Sequence, residues 1–520
     1  MGACMKKQNK NVRVSQDIPT IESPWRRRSA SLNPLRDVFL QKNIHLDYEF
    51  IRVLGHGKYG NVNYAKSKDP LIKQEYAVKS LIKAMIEDKM NVIHRELEIL
   101  LSVDHPNIVK FFYAYEDPKF IHIVTEYCSG GDLLSKLCEV GTFSETETAI
   151  IIKNLLGALN YLHSMGICHR DIKLDNILLA SEGSLSDIKL IDFDFAKRID
   201  TSLLDMNTVV GTLHFIAPEV FDRICGTPAD IWSLGIVMYV LLVGKPPFRA
   251  ESESEILGQI KSRTLDLNDK EYRRISSAGK DLLSKLLDFD YNTRITAENA
   301  LKHPWFISIN QKSNFYNNER ILKRLKQYQV KGRLKKEIMK IIVKVLDTDE
   351  IQHLKEVFEH LDLDHNGYIT LEELKQGLNA VGITDSSEIE RIFDVLNDTE
   401  AKINGGIRYS DFLAATLNRK AALTESTLWA AFKYFDHDNS GKITPSNIYL
   451  ALKRTGVDIP AEEMEKMLKE EGISTSHKID FADFKKIVMP AETFIKKKSL
   501  QSKKGAGPAI GDNGVGLSYM

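Results

Sequence analysis

The run His169-Arg170-Asp171-Ile172-Lys173-Leu174-Asp175-Asn176 sets a carboxylate, an ammonium and an amide in one short loop. That set suits the transfer of a phosphoryl group. The reaction asks little covalent help of a protein; it needs a positioned hydroxyl, held metal ions and neutralised charge. Asp171 can accept the hydroxyl proton, Lys173 can sit on the transferring phosphate, and Asn176 can ligate a metal.

Such a loop needs partners elsewhere in the chain. Gly55-His56-Gly57-Lys58-Tyr59-Gly60-Asn61-Val62 has the G-x-G-x-x-G-x-V form. Alone it is a weak signal, because glycine triplets also occur in dinucleotide folds and ordinary turns; here it lies between strand-like runs, as a hairpin covering phosphates would. Lys79 follows on a predicted strand, and Glu96 in an amphipathic segment ending near Val103 is its expected ion-pair partner. Glu98 is the competitor, two residues on and therefore on another helix face. Asp192-Phe193-Asp194 supplies a second metal carboxylate, and Arg294 is the expected buried partner of Glu219 in Ala217-Pro218-Glu219.

Over residues 48–306 these ordered motifs resemble a eukaryotic protein kinase. The resemblance implies an α+β, bilobal fold with a β-rich N-lobe and an α-rich C-lobe. It implies ATP and Mg²⁺ as cofactors, with nucleotide contacts from Leu54, Gly55, Gly57, Gly60, Val62, Lys79, Glu96, Thr125, Glu126, Cys128 and Asp132. Magnesium would fall to Asn176 and Asp192, catalysis to Asp171 and Lys173, and Lys173 with Thr212 suits a Ser/Thr acceptor. One residue departs from the pattern: Asp194 stands where the family usually has Gly. Glycine permits backbone angles that Asp adopts only at a cost of about 1 kcal/mol or more. Asp194 is therefore either a tolerated variant or a brake on Asp192. Thr208 sits where many kinases carry an activating phosphothreonine, which Arg170 would pair with; the alternative is an ordinary loop threonine.

Downstream, Ile369, Ile407, Ile443 and Ile479 recur at intervals of 38, 36 and 36 residues, the signature of one stacked supersecondary unit. Asp362 to Glu373 is a complete EF-hand loop: Asp362, Asp364 and Asn366 supply oxygens, Gly367 the sharp turn, Tyr368 a carbonyl and Glu373 a bidentate carboxylate. The other loops are eroded. Loop two would start at Glu400 with Lys402 in a ligand place. Loop three keeps Asp436, Asp438, Ser440 and the Lys442 carbonyl but ends in Asn447. Loop four, from Gly472 to Asp483, lacks its first ligands and has His477 in the glycine place. One tight Ca²⁺ site, one weak site and two structural hands are expected, with the isoleucines pairing loops across short β bridges.

Between Arg320 and Lys344 lie ten Lys or Arg and a single acid, Glu337, with apolar residues recurring among them, which predicts an amphipathic basic helix or helix pair. Calcium-opened EF-hand grooves grip targets of this kind. The whole arrangement resembles the calcium-dependent protein kinases of plants and apicomplexan parasites. That resemblance implies a kinase domain at 48–306, an autoinhibitory junction at 307–346 that blocks or distorts the kinase until calcium releases it, and a calmodulin-like module at 347–490. Residues 1–47 and 491–520 are expected to be largely disordered. The rival reading is a calcium-binding scaffold whose kinase fold is weak or inactive because of Asp194; a third is a constitutive kinase with docking-only hands.

Length and charge fit this organisation. A chain of 520 residues exceeds one core. With 71 basic and 71 acidic residues, net charge points to no nucleic-acid partner. Five cysteines without metal spacing suit a reduced, cytoplasmic chain. Protein substrates and intramolecular kinase–junction–EF-hand contacts are the expected partners, in a monomer. The run Ile231 to Val243 is too short to span a membrane and predicts a buried helix. Gly2 and Cys4 invite myristate and palmitate, which together would give peripheral membrane contact; Lys6 departs from the acylation pattern, so an unmodified start is the alternative.

Overall fold

The computed structural model describes residues 36–489 except 58, 199–212, 225, 251, 263–269, 310–320, 322–323, 326–327, 329–331, 347–348, 381–382, 398–404, 458 and 475–477. Gly2, Cys4, Thr208, Thr212, Glu400, Lys402 and His477 therefore lie outside the described residues.

The N-lobe is a six-stranded sheet of order β1-β5-β6-β4-β3-β2. Its strands are β1 (Phe39–Leu40), β2 (Tyr48–Gly57), β3 (Gly60–Ser67), β4 (Glu75–Ile82), β5 (Phe111–Glu116) and β6 (Phe120–Glu126). Residues 36–47 correct the expectation of disorder in part. Phe39 and Leu40 pair in parallel with Ala114 and Tyr115, and Val38, Phe39, Leu40 and Ile44 are buried. Burying such side chains is worth about 1.5–3 kcal/mol each, which explains why this polar extension is anchored at its apolar end.

The C-lobe is helical. Helix Glu145–Ser164 starts at a capping box in which Ser144 and Glu147 satisfy each other's backbone N–H groups. The apolar run forms helix Thr227–Val243, buried on nearly every face and closed by Gly244 at φ 82°. No described helix is long and apolar enough to cross a membrane.

The calcium repeats form helix pairs joined by antiparallel bridges, Ile369 to Ile407 and Ile443 to Ile479, as their spacing predicts. The junction contributes helix Arg333–Val345. Its Leu334, Ile338, Ile341 and Ile342 are buried in one core with Phe412, Phe432, Phe435 and Phe484 of the repeats. Charge reinforces the grip: Lys335 pairs with Glu471 at 2.9 Å, Arg333 with Glu463, and Lys340 with Asp411 at 3.4 Å, while Glu337 of the same helix orients Lys340 at 2.7 Å. Asp411, the last residue of the eroded second loop, thus serves the junction. The calcium-binding module grips the junction, as the basic amphipathic pattern predicts. The helix lies inside the calcium-binding module, and its Lys344 meets the kinase at Phe111 and Phe112 of β5.

Candidate active site and calcium centre

The glycine loop is the β2–β3 hairpin, with Gly55 opposite Val62 and Gly57 opposite Gly60. Gly60 is required by packing: a Cβ there would lie 1.8 Å from the Ser80 carbonyl oxygen on β4. Leu54 is partly exposed beside it. Val62 neighbours Lys79 across β3 and β4, so the hairpin and the lysine share one register.

Lys79 Nζ lies 3.0 Å from Glu96 Oε1 and 3.3 Å from Asp192 Oδ1, and it also bonds Asp194 Oδ1. Glu96 is buried on helix Met90–Ser102 whereas Glu98 is exposed, which settles the choice between them. Burial alone would depress the lysine's pKa; Glu96, Asp192 and Asp194 overcome it and hold the ammonium charged. Burial and the Asp194 carboxylate raise the Glu96 carboxyl, while Asp194, despite burial, is held below its ordinary value by Lys79. Glu96 Oε2 has no hydrogen-bond partner.

The predicted cost of Asp194 falls elsewhere. Its φ is not positive; the left-handed residue is Asp192, at φ 65°. Asp194 acts through its carboxylate rather than through backbone strain.

Asp171 is buried. Its Oδ2 accepts from Lys173 Nζ at 2.8 Å and from Asn176 Nδ2 at 2.8 Å, and Asn176 also bonds the Asp171 carbonyl at 2.9 Å. Beneath the loop sits Asp230, which sequence reasoning missed. It accepts from the N–H groups of His169 (2.9 Å) and Arg170 (2.8 Å) and pairs with His163 Nε2 at 2.9 Å. Burial pushes Asp230 up, but these bonds keep it below its usual range. The signal is present in the sequence: Asp230 is the one acid of its helix and immediately precedes the apolar run. Arg170, at φ 67°, donates to the Phe195 carbonyl at 2.5 Å, which ties the catalytic loop to the segment after Asp192. His169 is buried and held toward neutrality by desolvation.

At the hinge, Thr125 lies opposite Ala77 on β4. Glu126 Oε1 accepts from Lys110 N at 2.6 Å and pairs with Lys189 at 3.4 Å. Cys128 is buried and its thiol is pushed up by burial. Asp132 caps helix Leu133–Val140 by accepting from Ser135 N at 2.8 Å. Glu219 and Arg294 form the expected pair at 2.6 and 3.0 Å.

In the complete calcium loop, carboxylate oxygens of Asp362, Asp364 and Glu373 lie within 4.8 Å of one another. Glu373 Oε1 accepts from Leu363 N at 2.8 Å and its Oε2 from Thr370 N at 2.8 Å, which aims the carboxylate inward. Gly367 takes φ 83°. Burial and the two neighbouring carboxylates raise Asp362 well above its ordinary value, a repulsion that a bound cation would relieve. The residues fit Ca²⁺. In the third loop, Lys433 lies 3.2 Å from Asp436 Oδ2, and Asn447 Oδ1 accepts from Thr444 N at 2.8 Å; an ammonium already stands on the first ligand. Asp438, Ser440 and Lys442 hold one another through the Ser440 hydroxyl and amide. In the active site, Asn176 and Asp192 offer oxygens to Mg²⁺, and the carboxylates of Glu96, Asp192 and Asp194 also lie within 4.8 Å, with Lys79 among them.

Comparison with known proteins agrees with this geometry. A protein kinase domain matches residues 48–306 and EF-hand domain pairs match 351–417, 320–379 and 410–455. The chain is 36% identical to calcium-dependent protein kinase 3 of Plasmodium berghei over 442 residues, covering 83% of this chain and 78% of the relative. It is 34% identical to calcium-dependent protein kinase 9 of Arabidopsis thaliana over 477 residues, covering 89% and 86%. It is 35% identical to calcium-dependent protein kinase 28 of Oryza sativa over 473 residues, covering 90% and 87%. With a kinase domain and EF-hand pairs in one chain, and 34–36% identity to these relatives over most of both lengths, the protein belongs to the calcium-dependent protein kinase family.

Proposed function

We propose that this chain transfers the γ-phosphate of ATP to Ser or Thr hydroxyls of proteins, under control of calcium at its EF-hand module. The observation that carries the reading is the held carboxylate of Asp171. Lys173 and Asn176 fix one oxygen, Oδ2, at 2.8 Å each, leaving Oδ1 to take the proton of an incoming hydroxyl. Lys173 is placed to follow the phosphoryl group as its charge develops. Lys79, fixed by Glu96, supplies the cation for the nucleotide phosphates. Asn176 and Asp192 would hold Mg²⁺, which supplies charge neutralisation between the phosphates.

Control follows from the junction. Helix Arg333–Val345 is held by the calcium-binding module and meets the kinase at Phe111 and Phe112 of β5, which supports a junction through which the module acts on the kinase. A calcium titration of magnesium- and ATP-dependent peptide phosphorylation tests the reading. Activity should rise with calcium. ATP binding without phosphate transfer at any calcium level favours the scaffold reading, for which Asp194 is the argument; full activity without calcium favours a constitutive kinase. If native Gly2 and Cys4 are both acylated, as mass spectrometry of the N-terminus would register, the kinase acts at a membrane surface.

A further inference from the structure

The complete calcium loop is docked on the kinase C-lobe through its own backbone. The side-chain amide of Asn160, on helix Glu145–Ser164, donates to the carbonyl oxygens of Asp364 at 3.1 Å and His365 at 3.4 Å. The next residue, Tyr161, sets its ring 5.6 Å from that of Tyr368. A Cβ on Gly367 would lie 2.4 Å from Tyr161 Cδ2, so the turn of the loop fits the kinase surface closely. The Tyr161 hydroxyl accepts from Asp104 N at 2.8 Å, and the Asp104 carboxylate accepts from Ser410 N, on the paired second hand, at 3.0 Å. Lys355, on the helix leading into the loop, pairs with Asp187 of the kinase at 2.6 Å.

These contacts and an ion do not compete. An EF-hand loop takes calcium with side-chain oxygens at positions 1, 3, 5 and 12 and the carbonyl of position 7. Asn160 holds the carbonyls of positions 3 and 4. Asp364 therefore serves both: its carboxylate faces the ion site and its carbonyl faces the kinase. The third loop repeats the device on the N-lobe side, where Lys42 Nζ donates to the His437 carbonyl at 2.7 Å and Asn439 donates to Asp47 at 3.3 Å.

We propose that Asn160, a kinase-domain residue, is a positioning residue for calcium: it holds the first EF-hand loop in its ion-binding shape, so the calcium affinity of that hand is a property of the docked chain. The inference rests on the reading of this loop as a calcium site. Ordering a loop before its ligand arrives removes a cost from binding, and the coupling is reciprocal: whatever calcium adds to docking, docking adds to calcium affinity.

The test is calorimetric calcium titration of the full chain, with the calcium off-rate from stopped-flow chelator mixing. Asn160→Ala should weaken the tight site about fivefold or more, the low end of typical coupling, through a faster off-rate. Asn160→Asp should weaken it further, because a carboxylate would then face two carbonyl oxygens. Asn154→Ala, on the same helix but bonded to the Ser186 carbonyl, should leave it unchanged. Wild-type affinity in Asn160→Ala, or an equal loss in Asn154→Ala, overturns the proposal. Should Asn160→Ala fail to fold, Asn160→Ser makes the same comparison, and wild-type affinity there overturns it equally. A wild-type chain with no tight calcium site overturns the calcium reading itself, and this inference with it.

Discussion

Lys79 is shared among three carboxylates where phosphate binding asks for one. Glu96 is the orienting partner; Asp192 and Asp194 compete with the nucleotide for the same ammonium. Lys79 and Asp194 are 24% and 26% exposed, so the lost contact is worth about 1 kcal/mol, below the usual range for a charged hydrogen bond. Asp194→Gly should therefore lower the KM for ATP roughly fivefold. Steady-state kinetics at varied ATP would decide; a KM that rises would mean that Asp194 helps to hold the nucleotide instead. At this scale the sequence was most legible. Asp171 meets Lys173 and Asn176, and Lys79 meets Glu96, as their spacing predicts, because each belongs to a motif with its own chemistry. Asp194 is visible in the sequence as a departure, but its effect lies in its carboxylate and not in its backbone, since the positive φ belongs to Asp192. Asp230 shows in the sequence only as a lone acid beside an apolar run; its partners, two backbone amides and His163, are recorded by no motif.

At the scale of elements, the junction helix carries a lysine into an apolar place. Lys344 Nζ lies 5.7, 5.8 and 5.5 Å from the ring centres of Phe111, Phe112 and Tyr434. Burial, with Lys110 nearby, lowers its pKa to about 7, and Asp104 offsets this in part. An unfolded lysine titrates near 10.4. Below pH 7 the amine is charged in both states and the cost of burying it stands in full. Above that, the folded chain sheds a proton that the unfolded chain keeps, so stability rises through the window between about 7 and about 10. Relative to Lys344→Met, the wild type should gain roughly 2 kcal/mol between pH 7 and pH 9. Urea midpoints of both proteins at the two pH values measure it, and parallel shifts would refute the assignment. The Glu219–Arg294 pair makes the opposite case, since a buried ion pair broken on one side leaves a charge stranded. Arg294→Met should destabilise the kinase domain by about 3–5 kcal/mol, as a lowered unfolding midpoint of the full chain. Helical elements were readable from periodicity, the junction among them. Strand β1 was not: its two residues sit in a polar, basic extension, and only tertiary contact with β5 makes them a strand.

At the scale of the molecule, the calcium-binding module touches both lobes. Lys355 and the first loop meet the C-lobe; Trp429 Nε1 reaches Asp69 at 2.7 Å, and Lys453 pairs with Asp37 at 3.2 Å on the N-lobe side. Glu373→Gln removes the charge that draws the ion to the first hand. It should weaken the tight site roughly tenfold or more and move the calcium midpoint of kinase activity upward by a similar factor. An unchanged midpoint would mean that another hand sets the response. None of these long-range pairs was legible, because a single sequence shows that Asn160 is polar and Asp364 acidic, but not that they face each other.

The short strand before the kinase domain has a practical consequence. The family match begins at residue 48, yet β1 ends at Leu40 and lies against the outer strand of the sheet. A shortened chain starting at Tyr48 would keep every catalytic residue and lose that cover. Ala114 and Tyr115 would then lose their strand partners and extend the open edge of β5, a template for pairing with another chain. Such a chain should self-associate more than the full one, and light scattering of the two proteins at equal concentration would measure the difference. The boundary of the homologous domain and the boundary of the folded sheet thus differ by a dozen or so residues.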